Sequence, residues 1–205
     1  MRIHELKGVE QLDELNFKHA VAAATLGAAT MMSHKAETPE VPTKPLSMLQ
    51  QPQAKVEPVD PAVQKAANLL VSKYNIDQHM AIDIAKLAHK YQKPGFPTAK
   101  DILAIIAVES RFDPNAVSGL HKDPAVGLMQ VRPAVWKVDP ETLKDPETAI
   151  QMGADILHKY YRHLHGDKQA ALQAYNVGMQ NFQQGEEAPN YLMKFERELK
   201  KLFSI

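Results

Sequence analysis

The stretch 102-ILAIIAVESRFDPNAVS-118 decides how this chain folds, and it poses a chemical question. Ile102 through Val108 are apolar, and Ile102, Ile105, Ile106 and Glu109 fall three and four apart, on one face of a helix. Thr98 and Asp101 stand ahead of the run as a cap pair that would open that helix. Glu109 thus comes one turn beyond two isoleucines, on the side turned to the core. A carboxylate there is poorly solvated, so its pKa is expected to rise until the group holds a proton near neutrality. The competing reading is that Glu109 pairs with Arg111 or caps a neighbouring helix.

The flanking segments also read as helices. Asp60 and Pro61 give an N-cap and first position before 62-AVQKAANLLVSKY-74. In 77-DQHMAIDIAKLAHKYQ-92, Met80, Ile84, Leu87 and Tyr91 keep helical spacing, and KPGFP then breaks the chain. A long irregular stretch follows Glu109. Beyond it, 145-DPETAIQMGADILHKYYRHL-164 carries Ile150, Ala154, Leu157, Tyr161 and Leu164 as a stripe. A shorter helix capped by Asp167 comes next, and 189-PNYLMKFERELKKLF-203 closes the pattern with Leu192, Phe195, Leu199 and Leu202 inward. No alternating pattern competes, so the fold class expected is all-α.

The first 60 residues have a different character. Ala20 to Met32 is an Ala- and Gly-rich apolar run of 13 residues, shorter than the roughly 20 needed for a bilayer-spanning helix. It is long enough for a signal core, although acidic residues precede it. Ala36 to Pro61 holds six of the chain's 14 prolines and reads as a semi-rigid linker. The expected organisation is an N-terminal segment over 1–35, serving as signal, anchor or neither, a linker over 36–61, and a folded domain over 62–205. The N-terminal part is expected to be disordered or extended.

Charge and composition exclude several chemistries. Lys plus Arg and Asp plus Glu are 24 each, so no bulk positive field points to nucleic acid. With no Cys there is no disulfide, thiolate metal site or cysteine nucleophile. There are nine His, and His158, His163 and His165 cluster at one helix end, but no HExxH motif accompanies them and no carboxylate completes an evident ligand set. They read as surface histidines near a helix C-terminus, and neither metal nor cofactor is expected.

A carboxyl held against apolar walls is how a glycosidase prepares its proton donor. The company Glu109 keeps supports that chemistry: ESRFDPNAVS, then GLMQV at Gly127–Val131, GADIL at Gly153–Leu157 and AYNVG at Ala174–Gly178. In this order the motifs resemble the soluble lytic transglycosylase domain of the lysozyme-like superfamily, over roughly residues 62–202. The resemblance implies a lysozyme-like helical domain in which Glu109 is the single catalytic acid. It also implies substrate contacts from Ser118, Met129, Gln130, Tyr175, Asn176 and Tyr191. Two departures stand out: the connection GLHKDPAV after Ser118 is about three residues longer than usual, and Ala149 stands where many relatives carry Asn.

The activity implied is cleavage of peptidoglycan glycan strands between N-acetylmuramic acid and N-acetylglucosamine, with closure of a 1,6-anhydro ring. A goose-type muramidase, using Asp123 of the loop to assist hydrolysis, is the close alternative. A noncatalytic peptidoglycan-binding module is the distant one. The expected setting is the cell envelope or periplasm, or secretion, with residues 20–32 available as a membrane tether and the domain monomeric. The layout without an added wall-binding domain leans toward a phage or locally acting enzyme.

Overall fold

The computed structural model describes residues 59–119 and 122–203. The apolar run at 20–32 and the linker up to residue 58 lie outside the described residues. All described helices belong to the unit that begins at Pro58.

In chain order these helices are α1 (Pro61–Tyr74), α2 (Gln78–Tyr91), α3 (Ala99–Glu109), α4 (Pro133–Trp136), α5 (Pro146–His163), α6 (Lys168–Val177), α7 (Met179–Gln183) and α8 (Pro189–Phe203). A 3₁₀ turn, Pro140–Lys144, lies between α4 and α5. Extended pairing among the described residues is confined to two isolated bridges, Val117 with Val126 and Val126 with Val131. The domain is all-α.

Local chemistry explains where the helices begin. The Asp60 carboxylate accepts from Ala62 N at 2.7 Å, ahead of Pro61 at the first position of α1. Thr98 and Asp101 form a reciprocal capping box on α3, with Asp101 Oδ2 accepting from Thr98 N at 2.9 Å. Asp167 caps α6 through Ala170 N at 3.0 Å.

α3 is the core element, with every residue from Ile102 to Ile106 at most 1% exposed. A helix that is apolar all round must be enclosed, and α3 packs against α2 and α8. Helix α2 packs on α1 and α5, and α8 also touches α6 and α1. The buried face of α2 is Ala81, Ile84, Ala85 and Ala88, whereas Met80, Leu87 and Tyr91 are only half covered. Alanines set the centre of this stripe because they let neighbouring helices approach closely.

Asp101 ties the start of α3 to α6. Its Oδ1 accepts from Lys168 Nζ at 2.7 Å, and that ammonium lies over the rings of Phe96 and Phe195 at 5.4 and 5.0 Å. His158 differs from its expected role. It is half-buried in the body of α5 with Nδ1 2.9 Å from the Phe96 carbonyl, so it anchors the turn before α3.

Candidate active site

Glu109 is the last residue of α3, and the chain leaves it abruptly. Arg111 and Phe112 follow with φ of 54° and 69°, a left-handed pair that costs energy for residues bearing a side chain. Burial of Phe112 against the Tyr74 ring, 4.8 Å between centroids, offsets that cost. The chain therefore turns away and leaves the carboxyl at a half-buried helix end.

One hydrogen bond reaches that carboxyl among the described residues: Tyr191 Oη donates to Glu109 Oε1 at 2.6 Å. The predicted alternative, a pair with Arg111, does not form. Burial raises the Glu109 pKa to about 7, against a smaller lowering by the Tyr191 hydroxyl and by the charge of Lys194. The helix C-terminus, whose dipole disfavours negative charge, acts in the same direction as burial. Tyr191 and Tyr175 both hold their protons far above the usual phenol range, through burial first and then the nearby Glu109 charge.

Tyr191 is placed by the start of α8. Gln173 on α6 accepts from Ala188 N through its Oε1 at 2.9 Å, which pins the chain one residue before α8 begins. Tyr175, also on α6, donates to the Met129 carbonyl at 2.7 Å. That bond ties α6 to the GLMQV segment.

GLMQV acts as a hub of backbone contacts. Ser110 Oγ donates to the Leu128 carbonyl at 2.8 Å, fastening this segment to the residue after the acid. Gln130, at φ 49°, donates from Nε2 to the carbonyls of Ala116 and Gly127 at 3.0 and 3.1 Å. Gly127 has φ +79°, and a Cβ there would stand 1.9 Å from the Leu143 carbonyl oxygen, so only glycine fits. Ala149 is fully buried beside this glycine, which gives the departure from Asn a packing role.

Met129 departs from its expected place. Its side chain is 0% exposed and fills a notch at Gly153, where an added Cβ would lie 2.5 Å from the sulfur. The side chain is core, and the carbonyl that receives Tyr175 is its contribution near the acid. This also gives the glycine of GADIL a reason: it makes room for the methionine of GLMQV.

Ser118 is half-buried and accepts from Ala125 N at 2.8 Å while its own N–H donates to the Ala125 carbonyl at 3.0 Å. It closes the loop neck and still has its hydroxyl proton to offer. Asn176 is exposed, next to Tyr175 on α6. Asp123 is committed elsewhere: Oδ2 accepts from Arg132 Nε at 3.1 Å and Oδ1 from Ala134 N at 3.0 Å, bracing the first turn of α4.

Sequence reasoning missed Ser110, Gln173 and Lys194. A serine directly after the acid at a helix end is a signal for Ser110; the other two depend on contacts between distant helices. Among the described residues no group of three or more His, Asp or Glu is arranged to hold a metal ion.

A helical domain whose innermost helix ends in one proton-holding glutamate, faced by tyrosines from two other helices, has a lysozyme-like design. The family model Transglycosylase SLT domain matches residues 87–195, and the chain belongs to that family. It is similar to the endo-type membrane-bound lytic murein transglycosylase A of Salmonella paratyphi B, 44% identical over 68 residues, which cover 27% of this chain and 32% of the relative. The same values hold for the proteins of that name from Salmonella enteritidis PT4 and Salmonella gallinarum. The match thus spans about a third of the length of these curated relatives. No solved structure gives a significant match.

Proposed function

We propose that this protein is a peptidoglycan lytic transglycosylase in which Glu109 serves first as acid and then as base. The observation that carries the reading is the Glu109 carboxyl itself, with a pKa near 7 and, among the described residues, a single tyrosine hydroxyl as partner. Family membership and the names of the relatives support the substrate class.

Glu109 gives its proton to the oxygen bridging N-acetylmuramic acid and N-acetylglucosamine, and the bond from that oxygen to the muramoyl C1 breaks. The substrate's acetamido group stabilises the positive charge that develops at C1. The Glu109 carboxylate then takes the proton from the C6 hydroxyl of the same sugar, and O6 closes on C1 as a 1,6-anhydro ring. Proton and enzyme are both restored, and no water is consumed. A near-neutral pKa suits a group that must both donate and accept.

Tyr191 holds the carboxyl in position and steadies its ionised form between the two steps. Ser118, Gln130, Tyr175 and Asn176 surround or support the sugar site in this reading, Gln130 and Tyr175 by fixing the loop that faces it. The hydrolytic alternative needs a second carboxylate. Asp123, its candidate, has both oxygens occupied by Arg132 and Ala134 N, which weighs against it. The work site is the cell envelope, in keeping with the membrane-bound relatives. Among the described residues no helix is long and apolar enough to cross a membrane.

The test is digestion of purified peptidoglycan by the full chain and by Glu109→Gln, with released muropeptides read by mass spectrometry. The reading predicts products one water lighter than reducing-end muropeptides, absent with the variant. Ordinary reducing ends would establish hydrolysis in its place.

A further inference from the structure

Lys194 lies three residues beyond Tyr191 on α8, so the two side chains leave the same face of that helix. Tyr191 Oη sits on the Glu109 carboxyl, which puts that face over the acid. Two other cations of the helix are engaged: Arg197 and Lys201 both pair with Glu198, and Lys201 also covers the Tyr74 ring at 3.8 Å. Lys194 is exposed, and no acidic side chain among the described residues pairs with it. Its charge nonetheless bears on Glu109. When Glu109 carries its proton, the Lys194 charge on this face has no anion among the described residues to balance it.

The sugar rings of the glycan backbone can accept hydrogen bonds from this ammonium but, being uncharged, cannot balance its charge. The anionic groups of the strand hang from muramic acid: the lactyl carboxyl when it is free, or the carboxylates of a peptide attached there. We propose that Lys194 binds a carboxylate borne by the muramoyl substituent and so makes this protein selective for anionic strands. The inference rests on the lytic transglycosylase reading. An ammonium on a flexible stem is a point charge that can follow a carboxylate whose position varies.

Binding is measured in the full chain carrying Glu109→Gln, with and without Lys194→Gln, so that no strand is cut. Three strand preparations serve as probes: peptide-bearing strands, strands stripped by an amidase so that lactyl carboxylates are free, and peptide-bearing strands whose carboxylates have been converted to amides. Lys194 should give a preference for acidic over amidated strands of roughly fivefold, the scale of an exposed ion pair, weakening with salt. The preference should vanish in Lys194→Gln and largely persist in Lys194→Arg. Whether peptide-bearing or stripped strands bind better identifies which carboxylate is held. Equal preference with and without Lys194, or a uniform loss of affinity for all three preparations, would overturn the proposal.

The same strands are then given to the chain with its native Glu109. Selective binding without anhydro products would retire the catalytic reading and leave the anion site standing. Anhydro products formed equally well from acidic and amidated strands would do the reverse.

Discussion

Helix α3 carries an acid near each end, and the two have opposite fates. Asp101, 5% exposed, receives Thr98 N, Thr98 Oγ1 and Lys168 Nζ, at 2.9, 2.7 and 2.7 Å. It also lies at the positive end of the helix dipole. Glu109, at the negative end, receives one tyrosine hydroxyl, and its pKa rises to about 7. Both are drawn out of bulk water, Asp101 buried and Glu109 half-buried, so partners and dipole make the difference. A buried carboxyl with its bonds filled is a structural tie, while one left short of partners keeps its proton to higher pH.

The largest expected effect comes from removing the second kind of acid. Glu109→Gln should cut turnover by about a thousandfold or more, within the range general acid–base groups supply, measured as muropeptide release. It should also alter stability. The folded-state pKa near 7 exceeds the ordinary 4.5, so the Glu109 contribution is fully present below about pH 4.5 and is lost as pH rises through 7. Glu109→Gln should therefore be the more stable protein at pH 8, by up to about 3 kcal/mol, with the gap closing toward pH 4.5 in denaturant titrations.

Breaking the other end should do the opposite. Asp101→Asn leaves the Lys168 ammonium among aromatic rings without its counter-ion and weakens the α3 cap. Unfolding free energy should fall by about 2 kcal/mol, a figure kept below that of fully buried pairs because Lys168 is partly exposed. Turnover per folded molecule should hold. Loss of activity with intact stability would erase the contrast between the two acids.

Tyr191→Phe sharpens the comparison by stripping Glu109 of its one partner among the described residues. The hydroxyl stabilises the ionised form, so removing it should raise the Glu109 pKa further and move the alkaline limb of the pH–rate profile upward. Turnover at its optimum should fall about tenfold, the scale of one lost hydrogen bond to a charged group. The smallest effect is expected from Asp123→Asn, whose carboxylate braces α4. Less than about a threefold change in turnover fits a surface structural role, whereas a collapse in rate would bring the hydrolytic mechanism back.

The helices were legible because their causes are local. Asp60 with Pro61, the Thr98 and Asp101 box, and Asp167 all act within about one turn, and the span Pro189–Phe203 is written in its own sequence. The short α4 and the 3₁₀ turn were hidden in a stretch held by contacts from elsewhere. On α2 the buried stripe is mainly alanine, which hydropathy spacing registers weakly. Glu109 could be read at the site because an apolar run stopped at an acid. The positions of Met129 and His158 could not, since each is fixed by a residue far away in the chain, Gly153 and Phe96 respectively.

The most direct test of the central claim is the titration of Glu109 itself. With carbon-13 placed in the glutamate carboxyls, the signal that disappears in Glu109→Gln is followed from pH 3 to pH 9 by NMR. The account predicts a midpoint near 7. A midpoint at the ordinary 4.5 would mean a carboxylate already ionised at neutral pH, and Glu109 could not be the acid that starts the reaction.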